Sequence, residues 1–186
     1  MSTLKVLEVR SGDVLGTFTQ EPDGRLEFSS AEIRSMVETM ATARGWTSQE
    51  TFDELRGWSN GYVQIMPALT LAKVFDGVRD GEPYFLPDHP RDDDPRLAAY
   101  LKAGTPILST TGTNVDFLDP ARGEVVPLTF RTDGTWIWTD TITYYLEKHR
   151  IRPDEGLCAH IAAQGYRCPR VDEATARHAI EELRRG

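Results

Sequence analysis

Asp133-Gly134 stands between two runs of alternating side chains, Val125 to Arg131 and Thr135 to Trp138, and this is the strongest local constraint in the chain. An Asp-Gly pair favours the two-residue type I′ turn, whose twist matches that of the antiparallel strands it joins. In that register Thr132 faces Thr135, Arg131 faces Trp136, Phe130 faces Ile137 and Thr129 faces Trp138. Opposed residues share a face, so Val126, Leu128, Phe130 and Ile137 form one side of the hairpin. Pro127, Thr129, Arg131, Trp136 and Trp138 form the other.

The first thirty residues alternate in the same period-two manner. Lys5 to Val9, Val14 to Thr19 and Arg25 to Phe28 read as strands of an antiparallel meander, separated by Ser11-Gly12-Asp13 and Glu21-Pro22-Asp23-Gly24. Ser29 stands three residues before Glu32, the spacing of a capping box. Ile33, Met36, Val37 and Met40 then recur at helical spacing, which predicts a helix over about 30–43 ended by Gly45. Thr47 and Glu50 repeat the box before a short helix carrying Phe52 and Leu55. Tyr62 to Met66 reads as a strand stopped by Pro67, and Leu71, Val74, Phe75 and Val78 fit a helix or a strand.

Asp94-Pro95 caps a helix of about nine residues that ends at Gly104, and Ile107-Leu108 reads as a brief strand. Ile142, Tyr145, Leu146 and His149 mark a helix capped by Thr139 or Asp140, with further helices over 153–164 and 172–185. Strands gather early and in one late hairpin, with about five to seven short helices between and after them. The fold class expected is therefore α+β around an antiparallel sheet. At 186 residues, 39% of them apolar, the chain is long enough to bury a core as a single α+β domain over 1–186. The stretch 79–94, rich in prolines and acids, is the candidate mobile loop.

A formal charge of −8 disfavours a nucleic-acid partner, because that affinity comes from lysines and arginines displacing counterions. Residues 1–93 hold 16 acids and 9 bases while 94–186 hold 13 and 12, so the acidity is concentrated early. A basic protein partner fits such a chain better. No apolar run approaches a membrane span, and the start lacks the basic and apolar regions of a secretory signal, so no membrane and a cytoplasmic location are expected.

Cys158, His160, Cys168 and His178 raise the question of zinc. Cys158 and His160 lie two apart on one predicted helix and diverge by about 200°, and no C-x-x-C knuckle occurs, so no metal is expected. The acids from Asp88 to Asp94 lack the alternate spacing and central glycine of a calcium loop. The polar loop 109–114 lacks the spacing and lysine of a phosphate-binding loop, and no dinucleotide fingerprint or nucleophile elbow is present. No cofactor is implied.

These readings make the chain a non-catalytic protein-binding module, of the kind that serves as a bacterial inhibitor, immunity protein or accessory subunit. The candidate partner-binding residues are Arg131, Trp136 and Trp138 on the hairpin face, where arginine and tryptophan are typical hot spots, and the acids Asp92, Asp93 and Asp94. The competing reading of the tryptophans is that the helix beginning near Thr141, or the meander, covers them as core. The alternative functions are an enzyme with a non-local site using His149, His160 or His178 as acid/base, and a small-ligand-binding protein.

Overall fold

The early alternation becomes strands β1 (Ser2–Glu8), β2 (Val14–Gln20) and β3 (Leu26–Phe28), joined by β4 (Val63–Pro67) in the order β3-β2-β1-β4. A computed structural model describes residues 2–185, with side chains through Arg184. All pairings in this sheet are antiparallel, and Leu4↔Phe18, Phe18↔Phe28 and Val6↔Ile65 set one apolar face. Helices α1 (Ala31–Arg44) and α2 (Ser48–Leu55) cover that face with Ile33, Val37, Phe52 and Leu55. The Phe52 ring meets Phe18 edge-on at 5.8 Å.

Both helices stop and start where local chemistry requires. The α1 cap is Ser30, whose hydroxyl accepts the Ile33 amide, one residue later than the Ser29–Glu32 spacing predicted. Ser29 is instead occupied in accepting the Thr17 amide. Gly45 ends α1 at φ 69°, a left-handed conformation that costs glycine least. Thr47 and Glu50 form the complete capping box of α2.

The chain divides into two compact units, Met1–Ala68 and Leu69–Gly186. In the second, β5 (Thr70–Leu71), β12 (Trp136–Thr139), β11 (Phe130–Thr132) and β8 (Thr105–Leu108) form a four-stranded sheet in that order. Its hairpins are β6 (Gly77–Arg79) with β7 (Glu82–Tyr84), at the start of the proline-rich stretch, and β9 (Thr113–Val115) with β10 (Glu124–Pro127). Helices α3 (Pro95–Ala103), α4 (Asp140–His149) and α5 (Glu155–Ala163) surround Trp138, and α6 (Glu173–Arg185) packs Ala179 against Ile107 and Ile137. The α+β class is thus observed.

Two local expectations are corrected. Residues 71–78 form no helix: Thr70 and Ala72 donate to the carbonyls of Thr135 and Ile137, so only β5 forms, parallel to β12. The late hairpin pairs Phe130↔Thr139, Arg131↔Trp138 and Thr132↔Ile137, two residues from the predicted register, and its predicted first strand breaks into β10 and β11. Asp133 does not enter the left-handed region, as type I′ requires; its Oδ1 accepts the amides of Thr135 and Trp136, and Thr132 Oγ1 accepts the Gly134 amide. Side-chain bonds replace backbone bonds and widen the turn. Because the slip is even, the residues of β11 and β12 keep their predicted faces, Phe130 with Ile137 and Arg131 with Trp136 and Trp138, whereas Val126 and Pro127 leave the hairpin to pair with β9.

Candidate functional site

Helix α1 carries more apolar surface than one sheet needs. Ile33 and Val37 are buried on the first unit's core, while Met36 and Met40, with Ala43 a turn further on, form a second stripe at its edge. Trp58 and Val63 stand across from that stripe, and together these five residues wall an open groove of about 940 Å³. The helix has 14 residues, so it spans roughly 21 Å, about four turns of an opposing helix. Glu32 and Arg44 line the groove near the two helix ends, opposite in sign.

The far wall is pinned by Asn60. Its Oδ1 accepts the amides of Tyr62 and Val63, fixing the turn that leads into β4. Tyr62, next in the chain to the groove-lining Val63, is 74% exposed. The Val9 amide donates to the Tyr62 carbonyl, and Val9, Val14 and Leu15 are also exposed. Two thioethers and an indole make an adaptable apolar surface of the kind that receives amphipathic segments.

The hairpin residues lie elsewhere. Trp138 is fully buried and its indole Nε1 donates to the Leu101 carbonyl at 3.1 Å. Exposing that ring to a partner would cost roughly 4–6 kcal/mol of burial, so it is core. Trp136 is half-buried against the same cluster. Arg131 pairs with Asp140 at 2.6 Å and donates to the carbonyls of Lys102 and Gly104, closing the end of α3. Helices α3, α4 and α5, rather than the meander, supply the cover over Trp138.

The acidic run is similarly put to structural use. Asp92 pairs with Arg152 at 3.0 Å and accepts the Asp94 amide. Asp94 caps α3 by accepting the Arg96 amide and holds the Arg96 guanidinium, which together with that amide keeps its carboxyl below the ordinary value. Asp93 is exposed.

Three histidines meet aspartates that the sequence did not announce. His160 Nε2 lies 2.7 Å from Asp133 Oδ2, which also accepts the Tyr100 hydroxyl at 2.7 Å. Burial pushes the Asp133 carboxyl up, but hydrogen bonds from His160, the Trp136 amide and Tyr100 outweigh it and hold it below the ordinary value. His149 Nε2 lies 2.7 Å from Asp116 Oδ2, beside the Tyr144 hydroxyl. Here too burial raises the carboxyl and the bonds from His149, Tyr144 and Leu118 lower it further. His89 bonds Asp76 through Nδ1 and the Arg152 carbonyl through Nε2. His178, in α6, is buried.

The two buried carboxylates among them, Asp133 and Asp116, each fasten a turn or a loop. Asp133 carries both turn amides and Asp116 accepts the amides of Leu118 and Asp119. Cys158 and Cys168 are both free thiols. Burial, and then the Asp133 charge, push the Cys168 thiol up to about 11, far from a nucleophilic thiolate. Among the described residues no three of His, Cys, Asp and Glu come together as a metal centre requires, and no helix is long and apolar enough to cross a membrane. No protein-family model, curated protein or solved structure matches this chain.

Proposed function

We propose that this is a non-catalytic binding module, in the manner of an inhibitor, immunity protein or accessory subunit, and that the α1 groove receives an apolar face of its protein partner. The observation that carries the reading is the groove itself: an open trough as long as α1, walled by Met36, Met40 and Trp58. Its length and openness suit an amphipathic helix better than a small molecule, which needs enclosure. Glu32 at one end and Arg44 at the other give the trough a direction. The net charge of −8 favours a basic partner and would accelerate encounter at low salt. The binding reading is further supported by the histidines, whose aspartate partners are spent on fastening backbone.

The test is affinity of a captured and then purified partner for parent and Met40→Glu protein. Met40 is only partly buried in the free protein, so circular dichroism should be unchanged. A carboxylate in the trough removes about one buried side chain's worth of contact and should weaken binding at least tenfold. Equal affinities of the two proteins for every purified partner would refute the assignment.

A further inference from the structure

The second unit contains a separate cavity, of about 620 Å³, that the binding reading leaves unused. Its walls come from five places in the chain: Phe75 before β6, Pro83 of β7, Phe117 after β9, Val126 of β10 and Tyr145 of α4. The aromatic walls are set edge to face, with Phe75 5.7 Å from Tyr145 and 6.4 Å from Phe117. Tyr145 also fixes Phe117 directly, its hydroxyl oxygen accepting the Phe117 amide at 3.0 Å. The volume is within the roughly 300–1,000 Å³ of small-molecule sites, and the walls are held in place before anything binds.

Thr139 is the informative polar residue. It lines the cavity and occupies the N-cap position of α4, where a threonine hydroxyl ordinarily accepts a helix amide, yet it makes no capping bond. Its Oγ1 is buried and has no hydrogen-bond partner among the described residues. A buried hydroxyl left without a partner costs about 1–3 kcal/mol, so its presence calls for an explanation. Turned about its Cα–Cβ bond toward the cavity that Thr139 lines, the hydroxyl would bond a ligand's polar group, which supplies one.

The charged lining selects the ligand's charge. Asp116 and Glu82 line the cavity, and among the described residues no lysine, arginine or histidine does. An anion would face two carboxylates without a counter-charge. A cation would gain little from Asp116, whose oxygens already accept from His149, Tyr144, Leu118 and Asp119. We infer that the second unit binds a neutral aromatic small molecule in this cavity, its one polar group hydrogen-bonded to the Thr139 hydroxyl and its ring among Phe75, Phe117 and Tyr145.

The probe is N-phenylnaphthylamine, neutral and aromatic with a single N–H, titrated into the full chain by fluorescence. Its sulfonate analogue, anilinonaphthalene sulfonate, has the same rings and a negative charge. One saturable site is expected for the neutral probe, with the sulfonate at least about tenfold weaker. Val115→Trp, at an exposed lining position of β9, should block the site. Thr139→Val should weaken the amine about threefold to tenfold and leave phenylnaphthalene, measured by displacement, unaffected. Met40→Glu in the α1 groove should change nothing, which separates this cavity from the protein-docking reading. Equal binding of the two probes, binding insensitive to both Val115→Trp and Thr139→Val, or loss on Met40→Glu would each overturn the assignment.

Discussion

Replacing Asp133 by alanine removes four hydrogen bonds at once, and the structure says where each loss falls. Oδ2 accepts Tyr100 and His160 at 2.7 Å each; Oδ1 accepts the Thr135 and Trp136 amides at 2.9 and 2.8 Å. Tyr100 is 1% exposed, so its hydroxyl has no water to turn to and should cost about 1–3 kcal/mol. His160 and the two amides belong to half-buried residues, where water recovers part of the bond, leaving roughly 0.5–1 kcal/mol each. Removing the carboxylate also relieves its burial cost, so a net loss of about 3–5 kcal/mol is expected, a large share of a domain's stability. Tyr100→Phe should cost about 1–2 kcal/mol, and Asp133→Asn less than alanine because Oδ1 keeps both amides. The assay is urea unfolding followed by tryptophan fluorescence in a Trp46→Phe, Trp58→Phe background, where Trp136 and Trp138 report on the second unit alone. A loss below about 1 kcal/mol for Asp133→Ala would refute the view that this carboxylate organises the turn.

Acid should undo the same clamps. The Asp133 and Asp116 carboxyls lie below their ordinary 3.8 in the folded protein, so their contribution is fully present above that value and is lost as pH falls through the folded one. The stability gap between parent and Asp133→Asn should hold from pH 7 to about 5 and shrink below about 4, measured by urea midpoints; a gap constant down to pH 3 would contradict the assignment. Gly104→Ala should destabilise by about 1–3 kcal/mol, because the added Cβ collides with the Trp138 ring, itself fully buried. A thermal melt unchanged from parent would show that the ring can move aside. Cys168, with its thiol pushed up to about 11, should react with iodoacetamide at pH 8 roughly tenfold to twentyfold slower than free cysteine, read by mass spectrometry. Labelling at the rate of the free amino acid would refute that environment.

Much of the fold was written locally. The capping box of Thr47 and Glu50, the Asp94-Pro95 start and Gly104 end of α3, and the Ile33/Val37 stripe of α1 each depend on residues within one or two turns of each other. Short-range sterics and hydrogen bonds decide such features, and they are legible without knowing what packs on top. The faces of β11 and β12 were equally legible, since alternation survives an even slip in register.

The turn itself was not, because the Asp133 side chain competes with the backbone for the Thr135 and Trp136 amides while Tyr100 and His160 hold it from α3 and α5. Those partners lie 33 and 27 residues away, beyond any local pattern. The candidate sites divide the same way. Met36 and Met40 are visible in the sequence as one edge of an amphipathic stripe, but whether that edge is covered or walls a trough depends on where Trp58 and Val63 return. Trp138 reads as a hot spot until α3, α4 and α5 close over it. By itself the sequence determined most helices and strands, the caps of α2 and α3 and the faces of α1, β11 and β12, because those follow from side-chain periodicity and near-neighbour chemistry. Which aspartate meets which histidine, which aromatic is core and where a cavity stays open were decided only by the tertiary structure, because those depend on pairings between segments far apart in the chain.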